Sequence, residues 1–156
     1  MSLFQNLIGA GLRPHVRRKA RGKSVDEVIR SLETSLADVI LPRIERVSDT
    51  PANREAVNHW IGIERWSLSR VRVAQGEQFV EGTYHPFRVP EGATLHELQA
   101  EFVKARAETV ELAHALRSDG FDETLTIKHN DLGPLTVLEW LVYFDDHSRR
   151  EVIRLR

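Results

Sequence analysis

His147 and Glu151 stand four residues apart near the end of the chain, a spacing that one turn of helix brings onto a single face. An imidazole and a carboxylate so placed can share a divalent transition metal, and a third ligand from a neighbouring helix would leave coordination positions open for water or substrate. His59 is the candidate third ligand. It lies far away in sequence, in Asn58-His59-Trp60-Ile61-Gly62-Ile63-Glu64-Arg65-Trp66, a segment of helical rhythm. An ion held there would act as a Lewis acid or lower the pKa of a bound water or thiol. The same residues have a plainer reading. A histidine on an apolar helix face is often a hydrogen-bonded core or rim residue, and His–Glu at i,i+4 is also an ordinary helix-surface pair.

The elements that must position these groups are marked by their starts. Ser24/Glu27, Thr94/Glu97 and Thr136/Glu139 have the S/T-x-x-E spacing of a capping box. Thr50-Pro51 supplies a fourth start, with proline where no amide hydrogen is needed. The first helix is predicted from Ser24 to the high forties on Val25, Val28, Ile29, Leu32, Leu36, Val39 and Ile40, with Pro42 expected to kink or interrupt it. The second carries Ala52, Ala56, His59, Ile63 and Trp66 on one stripe and stops by Gly76. The third runs on Leu95, Leu98, Phe102, Ala105, Thr109, Leu112 and Leu116 to before Gly120. The fourth follows Gly133-Pro134 with Val137, Trp140, Phe144, His147, Glu151 and Leu155 on its stripe. Glu77 to Ala93, with two prolines and two glycines, reads as a long crossover between helices two and three. Leu125-Thr126-Ile127 offers at most a short strand. The expected fold class is all-α, a four-helix bundle, whose core can hold a metal between facing helices.

The chain of 156 residues is 41% apolar, enough for one domain with its own core. With 22 Lys+Arg against 23 Asp+Glu the net charge is −1, which argues against a nucleic-acid binder working through overall charge. Arg13, Arg17, Arg18, Lys19, Arg21 and Lys23 fall together without an acid between them. Residues 1–23 therefore read as a basic lead-in, a solvated helix end or flexible arm, and residues 24–156 as the bundle. There is no cysteine, which removes thiolate ligands and a cysteine nucleophile; thiol chemistry would need an external thiol. No signal peptide or bilayer-length apolar run is evident, so the expectation is a cytoplasmic protein without a membrane span.

The helix-two segment quoted above, together with His129-Asn130-Asp131-Leu132-Gly133-Pro134-Leu135-Thr136-Val137-Leu138-Glu139-Trp140-Leu141 and Asp146-His147-Ser148-Arg149-Arg150-Glu151, resembles the DinB-like (DinB/YfiT-like) superfamily. The resemblance covers residues 24–156, more specifically in helices two and four than in one and three. It implies an up-down-down-up bundle with a three-histidine metal site, one histidine from helix two and an H-x-x-x-H pair from helix four. His59 and His147 match two of these positions; Glu151 occupies the third. A carboxylate is a competent ligand, so the departure fits either a site with altered metal preference or a member that has lost its ion. Zinc or nickel is the expected metal, with iron or manganese as alternatives. Thiol-dependent transferases in the superfamily imply a small-molecule substrate and an external low-molecular-weight thiol; a metal-dependent hydrolase is the other enzyme reading. The rival from another class is a non-catalytic, stress-associated bundle serving as an interaction or dimerisation module.

Around this centre, His129 and Tyr143 are candidates to line the pocket, the former chiefly as a loop brace among turn residues. Trp140, like Trp60 and Trp66, is expected as core or pocket wall. Asp145 and Asp146 are expected to be solvated or to stand behind the ligands, and His15, His85, His96 and His114 have no partner at ligand spacing. No catalytic acid or base is singled out.

Overall fold

The computed structural model describes residues 3–156, with side chains from Leu12 onward. Met1 and Ser2 of the expected lead-in, and the side chains through Gly11, lie outside the described residues. The chain is predominantly helical, as expected of the all-α class. Its helices are α1 (Leu3–Ala20), α2 (Val25–Ser35), α3 (Leu41–Glu45), α4 (Pro51–Val71), α5 (Leu95–Asp119) and α6 (Val137–Glu151). The three capping boxes form as read, with Ser24, Thr94 and Thr136 each bonding the amide of the glutamate three residues on and that glutamate bonding back. Thr50 accepts from the Asn53 amide at 3.2 Å. Pro42 does not break its helix. A π-helical turn at Leu36–Ile40 joins α2 to α3, with the Leu41 amide bonded to the Leu36 carbonyl; the wider turn absorbs the discontinuity that the missing proline N–H creates.

α2 packs against α5 and α6, and α4 packs against the same two helices. The stripes predicted for the third and fourth helices are buried throughout. The stripe predicted for the second helix is buried only in its C-terminal part: Ile63 and Trp66 lie in the core, Ala52 is exposed and Ala56 and His59 are half-buried, while Asn53, Val57, Trp60, Ile61, Glu64, Ser67, Leu68 and Val71 are buried beside them. Apolar residues run around much of this helix, so periodicity alone could not tell core from cavity margin.

The apolar core is divided. One cluster gathers Leu32, Trp66, Leu116, Trp140 and Phe144, and the other Ile40, Trp60, Phe102 and Leu155. Between them lies a polar layer to which all four of these helices contribute. Arg106 Nε and Nη2 donate to the two Glu64 carboxylate oxygens at 2.6 and 3.1 Å. Its Nη1 donates to the Leu32 carbonyl and Ser35 Oγ, and its Nη2 also to Ser148 Oγ at 2.9 Å. Thr109 Oγ1 donates to Glu64 at 3.0 Å. Every guanidinium N–H thus finds an acceptor, which is what makes two fully buried charges tolerable.

Two elements go further than the sequence expectation of a short strand and a solvated helix end or flexible arm. The short strand is one half of an antiparallel hairpin, β1 (Thr126–His129) and β2 (Gly133–Thr136), with Ile127 opposite Leu135. The basic segment belongs to α1, which docks on α6, burying Val16 and Ala20. Its charges are partly engaged: Arg13 donates to the Pro134 carbonyl, Arg17 pairs with Glu139, and Lys19 and His15 pair with Asp146. Asp146 is consequently buried rather than solvated. No helix among the described residues is long and apolar enough to cross a membrane.

Candidate functional site

His59 on α4 and His147 on α6 lie beside each other in the wall of a cavity of about 860 Å³. Their ring centroids are 5.5 Å apart and the planes are tilted by 52°. α4 is half-buried at this level, and His147 follows the α6 stripe one turn after Tyr143, so two helix faces bring the rings together. Two imidazoles bound to one ion, with nitrogens at roughly 2.0–2.1 Å, have centroids roughly 5 Å apart in a tetrahedral shell. The observed separation is close to that.

The cavity is roofed by the crossover. Tyr84 stands edge-on to His59 with centroids 4.7 Å apart, and the Glu81–His85 stretch forms the outer wall. The roof is fastened by Arg70, whose guanidinium donates to the Val80 and Gly82 carbonyls at 2.6 and 3.0 Å, and by Asn130, which donates to the Gly82 carbonyl. Gly62 lets it lie close: a Cβ there would come within 2.8 Å of the Arg88 side chain and 3.0 Å of the Tyr84 carbonyl.

Burial tunes the groups within. It lowers the pKa of His147 to about 3, with the nearby His59 as the next cause, and it lowers that of His59 against the opposing charge of Glu151. Both imidazoles are therefore neutral at ordinary pH, the form that offers a lone pair to a metal. Burial also pushes the Tyr143 phenol up, so this neighbour of His147, 5.6 Å away between centroids, keeps its proton. Glu151 lines the same cavity but its carboxylate is turned to Arg154 at 2.8 Å. Among the described residues no three His, Asp or Glu side chains stand in an arrangement that would hold a metal ion. The two histidines fit the donor set; the carboxylate would have to leave Arg154 to complete it.

His129 also lines the cavity, and its ring braces the hairpin loop by accepting from the Asp131 and Leu132 amides at 3.1 and 3.2 Å. Trp140 does not reach the cavity. It is fully buried behind His129, with centroids 5.0 Å apart, and its indole donates to the Ile127 carbonyl. Tyr84 of the crossover and Arg70 of α4, which fastens it, were not anticipated from sequence, since contacts between a helix and a loop carry no periodic signal.

Set against known proteins, the chain matches no family model, no curated protein and no solved structure.

Proposed function

We propose that the chain is a DinB-like four-helix bundle that holds a divalent metal, zinc or nickel in the first place, between His59 and His147, with Glu151 as the third ligand once it is released from Arg154. The observation that carries this reading is the convergence of two neutral imidazoles at metal-compatible separation in the wall of a cavity large enough for a small molecule. The ion would supply Lewis acidity toward a substrate oxygen or an external thiol, making the protein a small-molecule transferase or hydrolase. The chain's own contribution is to keep both histidines neutral by burial and to hold the Tyr143 phenol protonated beside His147.

The test is zinc and nickel calorimetry with elemental analysis of untagged protein. Wild type should bind one ion; His59→Ala and His147→Ala should each lose stoichiometric binding, because two remaining protein ligands rarely hold a divalent ion tightly in water. Full occupancy in His59→Ala overturns the assignment. The Glu151–Arg154 pair favours a second reading, a metal-free interaction module with the same fold. A wild-type protein that binds none of these ions and melts identically with chelator supports that one instead.

A further inference from the structure

Two buried donors in the cavity wall play no part in the metal reading. His129 Nδ1 accepts two backbone amides, so its lone pair is consumed and the proton of the neutral ring is on Nε2. Burial, and secondarily the charge of Arg70, lower its pKa to about 4 and keep the ring neutral. That Nε2–H is buried with no acceptor among the described residues, and the same holds for the indole N–H of Trp66. The two rings stand edge to face, centroids 5.2 Å apart, and both line the cavity. Trp140 provides the contrast, since its indole reaches the Ile127 carbonyl at 3.0 Å. Buried donors without acceptors are destabilising, and two of them on touching rings that both line one cavity mark a place where a ligand oxygen completes the structure.

The local charge indicates which oxygen. Arg70 is 1% exposed and stacks over Trp66, 5.1 Å from its ring centroid. Its Nη atoms donate to backbone carbonyls alone, and no carboxylate pairs with it among the described residues. Of the rim carboxylates, Glu81 is paired with Lys128 and Glu151 with Arg154, while Asp131 is exposed. A buried positive charge behind the two donors favours an anion over a neutral carbonyl. We infer that His129 Nε2–H and Trp66 Nε1–H form a subsite for the carboxylate of a small organic acid, whose apolar body lies along Ile63, Tyr84 and Tyr143 toward His59 and His147. The subsite shares the cavity with the proposed ion but does not require it.

The test uses ¹⁵N-labelled, chelator-treated full chain titrated with phenylacetate, with its methyl ester, and with sulfate at equal ionic strength. The signal is the Trp66 indole N–H resonance, assigned with Trp66→Phe. Phenylacetate should move it saturably, the ester should bind at least about ten-fold more weakly, and sulfate should not reproduce the shift. His129→Phe should weaken phenylacetate by about ten-fold or more, while His129→Gln, which keeps a donor at the Nε2 position, should stay within about three-fold of wild type. Equal binding of acid and ester, an equal response to sulfate, an unmoved Trp66 resonance, or wild-type affinity in His129→Phe each overturns the inference. Should His129→Phe not fold, the acid-versus-ester comparison and the Trp66 signal in wild type decide. Because no metal ion is present in these titrations, their outcome is independent of the zinc and nickel isotherms.

Discussion

At the scale of the residue, the third ligand position is the pivot. Glu151 is buried on the His147 face yet bonded to Arg154, so metal capture by the wild type must compete with an ion pair, whereas an imidazole at this position would have no attraction to the guanidinium. Glu151→His should therefore strengthen zinc binding by about ten-fold or more in calorimetry, since a third neutral nitrogen also suits zinc. Unchanged or weaker binding would show that the site is built around the carboxylate. His129 has its own titration signature. A neutral buried imidazole whose folded pKa is about 4, against 6.5 when unfolded, binds fewer protons folded than unfolded between these values. Its contribution is thus fully present above pH 6.5 and is lost as pH falls toward 4, at a cost of about 3 kcal/mol. Urea melts of wild type and His129→Gln at pH 7 and pH 4 should show the wild type losing more stability by roughly that amount; parallel losses would mean that the ring is not kept neutral.

At the scale of the element, helix pairing depends on groups that would be costly if left alone. Arg106 links α5 to α2, α4 and α6 through one guanidinium. Arg106→Ala strands the buried Glu64 carboxylate, and the expected loss is about 3–5 kcal/mol in chemical denaturation. Replacing both partners with methionine removes the stranded charge and should recover most of that loss. If Arg106→Ala proves near neutral, water must be replacing the guanidinium. α1 makes a similar case for docking. Val16 and Ala20 are buried against the rest of the molecule and Asp146 is bonded by Lys19 and His15. A chain beginning at Ser24 should unfold at lower denaturant by at least about 2 kcal/mol, an outcome that an independent, solvated arm would not produce.

At the scale of the whole molecule, the arrangement is a core divided by a polar layer, with a cavity opening between α4 and α6 under a fastened crossover. The layer sets register. Glu64, Arg106, Ser35 and Ser148 meet at one level of four helices, and sliding any helix by a turn would leave a charge or hydroxyl unpaired among apolar side chains, a large penalty compared with the small differences between alternative apolar packings. The same alignment brings His59, five residues before Glu64 on α4, beside His147, the neighbour of Ser148 on α6. Stability and the geometry of the candidate site are therefore coupled through shared helices.

Much of this was legible in the chain itself, because it rests on local chemistry. Capping boxes at Ser24, Thr94 and Thr136 mark helix starts by hydrogen bonds that span three residues, and the α6 stripe from Val137 to Glu151 follows from a period of 3.6. The placement of His147 on a buried stripe of α6 could be anticipated from its spacing, whereas His59 lies at the half-buried margin of α4 rather than on its core face. What only the tertiary structure decided involves partners distant in sequence. The pairing of Glu64 with Arg106 spans 42 residues, the roof reaches α4 through the unsubstituted Cα of Gly62, and α1 finds α6 across most of the chain. A charged residue in one helix reads as solvent-facing until the helix that neutralises it is in place, and a histidine reads as a ligand or a brace alike until its ring nitrogens have partners. For that reason periodicity could locate the helices, while the direction of Glu151 toward Arg154 and of His129 toward the hairpin amides had to come from the folded molecule.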